Sequence, residues 1–347
     1  MDRTIVSAGV LLACLAVSMP ALAQESTPVV APPYEWTSDR PDGHAPAGVK
    51  ADYLLAKGEF YAGYRYFQQK FRGTVIGTDA VTSEDVLNIL NFAVATPSFN
   101  HTIHELDLRL GLSDRATLAV SVPFFRNDML KQTDNLTFFE TSSEVLGDIS
   151  IRGLFELLDM EAYRLSLTLG GTVPIGKLSK RGPTFTDPRG ILPSAMQGGS
   201  GTADLLAGGT FQVQNEVSSI GAQFNSVIRF YDNPFDYRLG NSYDFTVWGA
   251  YNVSDWASFS MRGLYDHWSP VEGTEVRTNG VEDPLANSFF QGGNRFVIPF
   301  GFSLYFREGA AAGHRLMIEW YYTVSEDLNG PQPSHERTLI ISWQTLF

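Results

Sequence analysis

The chain has 347 residues, of which 44% are hydrophobic and 18% are charged, and its formal net charge is −13. This acidic balance argues against nucleic acid as a partner, because binding phosphates needs a basic surface. Beyond the N-terminus, no apolar run reaches the roughly 18 residues of a membrane helix. The sequence therefore excludes a helical membrane protein but not a β-barrel, whose alternating strands average out in hydropathy.

The first 23 residues have the form of a cleaved export signal. A short start, Met1–Arg3, precedes the apolar run Ile5–Met19, and Ala21-Leu22-Ala23 forms a small-x-small cleavage site. The alternatives are a retained anchor helix and a lipoprotein signal at Cys14, the single cysteine of the sequence. We expect a signal peptide over 1–23, a proline-rich periplasmic segment or plug over 24–57, and an outer-membrane barrel over 58–347.

From Gly58 onward, segments with alternating apolar and polar residues recur. Leucines at 106, 108, 110 and 112 alternate with polar residues, a period of two that excludes an amphipathic helix. Twelve such segments predict strands: Glu59–Phe71, Thr102–Leu112, Ala116–Phe125, Gly147–Leu157, Arg164–Ile175, Gly201–Val213, Ser219–Tyr231, Ser242–Val253, Trp256–Trp268, Asn294–Phe306, His314–Val324 and Arg337–Phe347.

The connections between these segments alternate in length. Those after odd segments are long or medium, such as 72–100, 126–145, 176–200 and 269–292, and those after even segments are short. An even strand number with this loop asymmetry is typical of outer-membrane barrels. We predict an all-β, transmembrane, up-and-down antiparallel barrel of about 12 strands with long extracellular loops and short periplasmic turns. The alternative, a soluble β-sandwich or barrel, would place its apolar side chains inward and does not explain the loop asymmetry.

The chain stops on its last predicted strand, at Phe347. Leu339, Ile341 and Trp343 share its parity and form an apolar face. A terminal Phe preceded by alternate apolar residues resembles the insertion signal of bacterial outer-membrane barrels, which implies the assembly machinery as a partner. The apolar faces predict contact with outer-membrane lipid and lipopolysaccharide, and the expected location is the cell outer membrane of a Gram-negative bacterium.

If the apolar faces meet lipid, the polar faces line the lumen. One interpretation is a polar path that orients a solute, since the planar guanidinium group of arginine matches the geometry of a carboxylate. The other is a structural network in which opposite charges pair across strands. The lumen-lining candidates are Arg65, Glu105, Arg109, Asp148, Arg152, Asp204, Arg229, Asp244, Arg262, Asp266, Arg295 and Glu319.

A basic cluster stands out in the predicted loop 176–200 of this acidic chain. It could attract anions to the mouth, contact lipid phosphates, or be an ordinary solvated loop. Its members are Lys177, Lys180, Arg181 and Arg189.

No constellation of residues meets the requirements of catalysis, so we expect no enzyme activity, cofactor or metal. His101 and His104 are three residues apart on a strand and point to opposite faces, so they cannot share a metal. His267 is two residues from Ser269, but a lone pair of this kind lacks the third group of a triad.

Three short motifs resemble a known family. Gly147-Asp148 opens a predicted strand, Val173-Pro174-Ile175-Gly176 ends one, and Gly199-Ser200-Gly201-Thr202 opens the next. Their spacing is similar to that of outer-membrane transporters of the "MetA-pathway of phenol degradation" family, over roughly residues 149–268. The resemblance implies transport of small compounds, aromatic ones among them, across the outer membrane.

Strand number bounds the width of the lumen. Barrels of about 8 strands are filled by side chains and those of about 16 hold an aqueous channel, so twelve strands predict a narrow or partly plugged lumen. We expect a barrel that mediates passive uptake or efflux of small solutes, with aromatic or anionic compounds as the candidates. Two alternatives stay open: a structural or adhesion barrel with a closed lumen, and a lipid-modifying enzyme at the rim.

Overall fold

The computed structural model of the protein describes residues 34–347. The predicted export signal and residues 24–33 of the predicted proline-rich segment lie outside these residues. Regular structure in this part is almost entirely β-strand. The strands are β1 (Phe60–Gly77), β2 (Asp79–Val81), β3 (Val94–Ser113), β4 (Ala116–Thr133), β5 (Phe138–Leu146), β6 (Ile149–Met160), β7 (Tyr163–Val173), β8 (Arg181–Gly182), β9 (Gly190–Ile191), β10 (Leu205–Gln214), β11 (Ser218–Ile228), β12 (Tyr237–Arg238), β13 (Ser242–Ser254), β14 (Ala257–Trp268), β15 (Glu272–Gly273), β16 (Gly293–Tyr305) and β17 (Arg315–Leu346).

Helical structure in residues 34–347 is confined to single turns in the connections, and no helix there is long and apolar enough to cross a membrane. These turns are a π-helical turn at Asp85–Ile89 and 3-10 turns at Ser194–Met196, Pro284–Ala286, Ser288–Phe290 and Gly309–Ala311.

Within residues 34–347, eleven antiparallel strands close into a barrel in the order β17-β16-β14-β13-β11-β10-β7-β6-β4-β3-β1, with β1 pairing back to β17. The 32-residue β17 pairs with β16 from Arg315 to Leu328 and with β1 from Leu328 to Leu346. The successive antiparallel pairings make β1 and β16 run in opposite directions, so the two parts of β17, each antiparallel to one of them, also run in opposite directions. The chain thus runs along the barrel wall twelve times. The predicted all-β barrel is confirmed, with β2 and β5 as additional strands.

The barrel is apolar outside and polar inside. Along β3, Leu106 and Leu110 are 45% and 41% exposed, whereas the intervening Asp107 and Arg109 are each 2% exposed. The same inversion runs along the other long strands, whose outward residues are mostly large and apolar. A soluble barrel would bury the leucines instead, so this alternative is wrong. The outward surface is that of a protein solvated by lipid.

Three of the expected loops are wrong. Within 72–100, β1 continues to Gly77 and pairs with β2, and β3 already begins at Val94. Residues 126–145 form the upper part of β4 and most of β5, joined by residues 134–137. Likewise, residues 325–336, expected as a connection before the last strand, lie within β17. The physical reason is that these hairpins extend beyond the apolar band. Backbone hydrogen bonds hold them together there, so their sequences need no apolar face.

Candidate functional site

Residues 34–57 lie within the barrel. They begin at the short-turn end, which is the periplasmic end in barrels of this kind. There the Trp36 amide donates to the Glu161 carbonyl at 3.0 Å and the Tyr34 hydroxyl to Gln214 Oε1 at 2.5 Å. Arg315 of β17 is 1% exposed. Its guanidinium donates to the backbone carbonyls of Ser38, Arg40 and Pro41 at 2.6–2.7 Å. The segment is thereby held inside the periplasmic opening.

The segment then turns in the middle of the barrel, at Gly48–Lys50. The Gly48 amide donates to Glu319 Oε2 at 2.8 Å, and Lys50 Nζ lies 2.7 Å from Glu105 Oε2. Arg65 donates to the carbonyl of Val49 at 3.1 Å. We call residues 34–57 the plug and residues 48–50 the plug tip. The wall residues around the tip hold it by charged hydrogen bonds, which are the stronger kind.

The chain returns from the tip to the periplasmic end before β1 begins. Asp52 pairs with Arg109 at 3.2 Å, and the Leu55 amide donates to Thr117 Oγ1 at 2.8 Å. The Lys57 amide donates to Asp114 Oδ1 at 3.0 Å in the turn between β3 and β4. The plug therefore enters and leaves at one end and fills the periplasmic half of the lumen.

Five of the twelve lumen-lining candidates meet around the plug. Arg262 pairs with Glu319 at 2.7 Å, and Arg65 pairs with Glu105 at 3.0 Å. Arg109 contacts both Asp52 and Asp107. All are nearly fully buried, so each charge depends on its partners, and the set acts as a structural network.

A cavity of about 270 Å³ lies beside and above the plug tip. Arg152, Asp244 and Asp266 line it, with Lys50 at its base. Arg152 Nη1 donates to Ser150 Oγ at 2.6 Å. We call this space the lower cavity. Its lining carries charges of both signs.

A second cavity of about 380 Å³ lies nearer the long-loop end, and we call it the upper pocket. Phe71 and Phe99 line it, stacked with ring centroids 5.6 Å apart, together with Trp268 and Leu285. The Arg295 guanidinium lies 5.5 Å and 5.3 Å from the centroids of Phe71 and Trp268. Aromatic faces attract cations at such distances.

The two cavities share two carboxylates, Asp244 and Asp266. These are direct cross-strand partners on β13 and β14, and Asp266 is in turn the partner of Arg295 on β16. Arg295 itself pairs with Glu326 at 2.8 Å. Lumen-facing polar side chains therefore form a row across these neighbouring strands, at the boundary between the upper pocket and the lower cavity.

The long-loop end is covered by the connections 174–204 and 269–292. Leu192 and Met196 from the first connection pack with Leu285 from the second, against Phe99 and Met129 of the wall. This loop cover separates the upper pocket from a third cavity of about 560 Å³ between the loops themselves.

The basic cluster does not gather at one place. Arg181 lines the third cavity, and Lys177, Arg181 and Arg189 are exposed. In the adjacent loops, burial and, as a smaller cause, the Glu275 carboxylate raise the pKa of Tyr237 to about 12.

The remaining candidates lie at the loop end of the wall. Arg229 Nε pairs with Asp204 at 3.0 Å beside the ends of β10 and β11. Asp148 lies in the break between β5 and β6, where it binds backbone amides of the connection 174–204. Neither group lines the upper pocket or the lower cavity.

The histidines form no catalytic set in the described residues. His267 Nδ1 lies 2.7 Å from Asn294 Oδ1 and its ring stacks on Tyr243, so it does not engage Ser269. His101 bonds to Asn127 at 2.5 Å. Within residues 34–347, no three His, Asp or Glu side chains are grouped to hold a metal.

No family model matches the sequence, and no curated protein matches it. Among solved structures, the COG4313 outer membrane channel from Pseudomonas putida F1 is similar at 14% identity, with 86% of this chain and 99% of that chain covered and a TM-score of 0.62. The fold is that of an outer-membrane β-barrel.

Weaker likenesses have lower TM-scores. A Pseudomonas aeruginosa FadL homologue has 10% identity over 91% of this chain and 98% of its own, with a TM-score of 0.41. The CymD monoaromatic hydrocarbon channel has 7% identity over 90% and 99%, with a TM-score of 0.42.

Sequence reasoning missed the aromatic lining of the upper pocket. Phe71 and Phe99 share the parity of the inward charged residues of β1 and β3, and Trp268 shares that of Asp266 on β14. Large aromatic residues on the polar parity, near strand ends, were the available signal. This signal is weak, because charged residues dominate the same parity.

Proposed function

We propose that the protein is a channel of the Gram-negative outer membrane that lets small solutes cross by diffusion. The observation that carries the proposal is that the upper pocket and the lower cavity adjoin each other along the lumen and share the lining residues Asp244 and Asp266. A barrel with a purely structural role has no need of two adjoining cavities above its plug.

The sizes of the spaces favour small solutes. Volumes of about 380 and 270 Å³ are at or below the lower end of the range of small-molecule pockets, which suits a molecule with a single ring. The aromatic lining at Phe71, Phe99 and Trp268 supports solutes with an apolar body. The motifs at 147–148, 173–176 and 199–202 support membership of the MetA-pathway of phenol degradation family as part of this proposal.

Solute passage requires the plug to move, because the plug tip lies directly below the lower cavity. A Cβ at Gly48 would lie 2.1 Å from an Arg262 nitrogen, 2.2 Å from the Tyr321 hydroxyl and 2.7 Å from Glu319 Oε2. These three side-chain ends are buried and bonded to one another, so they cannot move apart freely and Gly48→Ala should unseat the plug tip. Gly249→Ala is the matched control, because nothing lies within 4 Å of its Cβ position.

Release of arabinose from protein-containing liposomes tests the proposal, because this neutral sugar crosses lipid slowly. We expect release through the wild-type protein, and release several-fold faster with Gly48→Ala but not with Gly249→Ala. Refolding of each variant is checked by the shift in gel mobility on heating. Absence of release from all three folded proteins would refute the channel.

A closed structural or adhesion barrel is the second candidate, favoured by the buried ion pairs around the plug. Arg262–Glu319 at 2.7 Å and Arg109–Asp52 at 3.2 Å are inaccessible to solvent. In a closed barrel the plug never leaves the lumen, so Gly48→Ala lowers the free energy of unfolding without creating any solute flux.

A further inference from the structure

The upper pocket has an apolar enclosure of specific shape. The stacked rings of Phe71 and Phe99 form one wall, Trp268 forms another, and Leu285 reaches in from the loop cover. Enclosure by aromatic and aliphatic groups removes water from a bound solute, and it strengthens any charge interaction inside. A pocket so lined selects a compact apolar body.

The floor of the upper pocket is negative. Within residues 34–347, Asp244 and Asp266 form no ion pair, and they are cross-strand neighbours on β13 and β14. Asp244 accepts the Asn225 side-chain amide at 3.0 Å. Two adjacent carboxylates in a partly enclosed space repel each other unless a cation lies between or above them.

Most of the nearby cations are paired with other carboxylates. Arg295 also lines the upper pocket, over the rings of Phe71 and Trp268, and is paired with Glu326 at 2.8 Å. In the lower cavity, Arg262 is paired with Glu319. Lys50 is paired with Glu105. Arg152 lines the lower cavity but not the upper pocket. Within residues 34–347, the two carboxylates thus have no ion-pair partner, and they lie at the base of an aromatic enclosure.

We propose that the upper pocket binds small organic cations. The ammonium group lies against Asp244 and Asp266, and the apolar body lies against Phe99 and Leu285. A carboxylate and an aromatic face are the two groups that attract an organic cation. An anion of the same size would meet two like charges. This inference rests on the proposed channel function and narrows the class of solute that the channel prefers.

Binding is tested first, because it does not require the channel to conduct. Benzyltrimethylammonium is titrated into the detergent-solubilised full-length protein by calorimetry, with benzenesulfonate as the anion of equal ring size. We expect saturable binding of the cation at one site and none of the anion. The double variant Asp244→Asn/Asp266→Asn should weaken cation binding about tenfold or more. Asp134→Asn, in the exposed turn before β5, should leave it unchanged.

Flux is tested second, as release of the two ultraviolet-absorbing probes from liposomes, with arabinose as the neutral reference and the membrane potential held at zero. We expect the cation to leave several-fold faster than the anion through the wild type, and the two rates to converge in the double variant.

The outcomes separate the two proposals. Release of arabinose with no binding of the cation, or with cation binding that survives Asp244→Asn/Asp266→Asn, overturns the inference and leaves the channel standing. Saturable cation binding that the double variant abolishes, without any flux, supports the site and refutes the channel. Gel mobility before and after heating confirms that each variant is folded.

Discussion

The carboxylate of Asp148 accepts hydrogen bonds from both the amide and the hydroxyl of Ser200, at 2.8 and 3.1 Å. Its other oxygen accepts the Gly176 amide at 2.8 Å. One side chain, in the break between β5 and β6, therefore holds both ends of the loop whose central residues cover the upper pocket. The three motifs that carry the family resemblance meet at this point.

Removing this carboxylate should loosen the loop cover. Asp148→Ala leaves three donors without their charged acceptor, and we expect a loss of about 3 kcal/mol in the free energy of unfolding. Trypsin should cut at Lys177 or Lys180 several-fold faster than in the wild type, as followed by mass spectrometry. Asp134→Asn is the control, and equal cleavage rates in Asp148→Ala and wild type would contradict the anchoring role.

Gly199→Ala should reproduce the defect of Asp148→Ala. A Cβ at this glycine would lie 2.3 Å from Asp148 Oδ1, so the carboxylate must leave its position. Because both changes break the same contact, the double variant should be little worse than either single variant. Urea unfolding of the three proteins measures this coupling, and fully additive losses would show that Gly199 acts elsewhere.

The buried pair at the plug tip should be worth more than an exposed pair. Glu319→Gln leaves Arg262 charged and buried, and we expect a loss of about 3–5 kcal/mol in unfolding free energy. Asp128→Asn breaks a 3.1 Å pair with Arg126 whose side chains are 43% and 58% exposed, and should cost below about 1 kcal/mol. Similar losses in the two variants would argue against the structural network.

Charging the lipid face should impair insertion. Ile341, on the last crossing, is 36% exposed at the outer surface. Ile341→Asp should lower the fraction inserted into liposomes, with a cost of up to about 2–4 kcal/mol. Val281→Asp, in the loop cover at a residue 80% exposed, should insert like the wild type. Normal insertion of Ile341→Asp would mean that the apolar faces do not meet lipid.

Phe347 should act through barrel closure. The Phe347 amide donates to the Phe60 carbonyl at 2.8 Å, and their rings lie 6.1 Å apart. Deletion of Phe347 removes this contact between the first and last strands, and we expect slower assembly in cells and a lower yield of folded protein. Deletion with unchanged assembly would remove the C-terminal residue from the proposed recognition by the assembly machinery.

Much of the wall could be predicted from the sequence, because lipid and lumen impose opposite chemistry on alternate residues. Leu106 and Asp107 illustrate this directly. Strand ends could not be predicted where the strands extend beyond the apolar band, as in β4 and β5, because backbone pairing in water leaves little pattern in the side chains.

The site was less predictable, because its contacts join residues far apart in sequence. The Asp148–Ser200 contact spans 52 residues, and the Gly48–Glu319 contact spans 271. Alternation assigns a residue to a face, but it does not give the register between strands. The adjacency of Asp244 and Asp266 and the path of the plug therefore required the fold.

Arabinose release from liposomes containing Gly48→Ala, compared with wild type and Gly249→Ala, tests the channel most directly. The account predicts measurable release through the wild type and several-fold faster release when the plug tip is unseated, with Gly249→Ala unchanged. Three folded proteins that all retain the sugar would contradict it, and the barrel would then be a closed structural one.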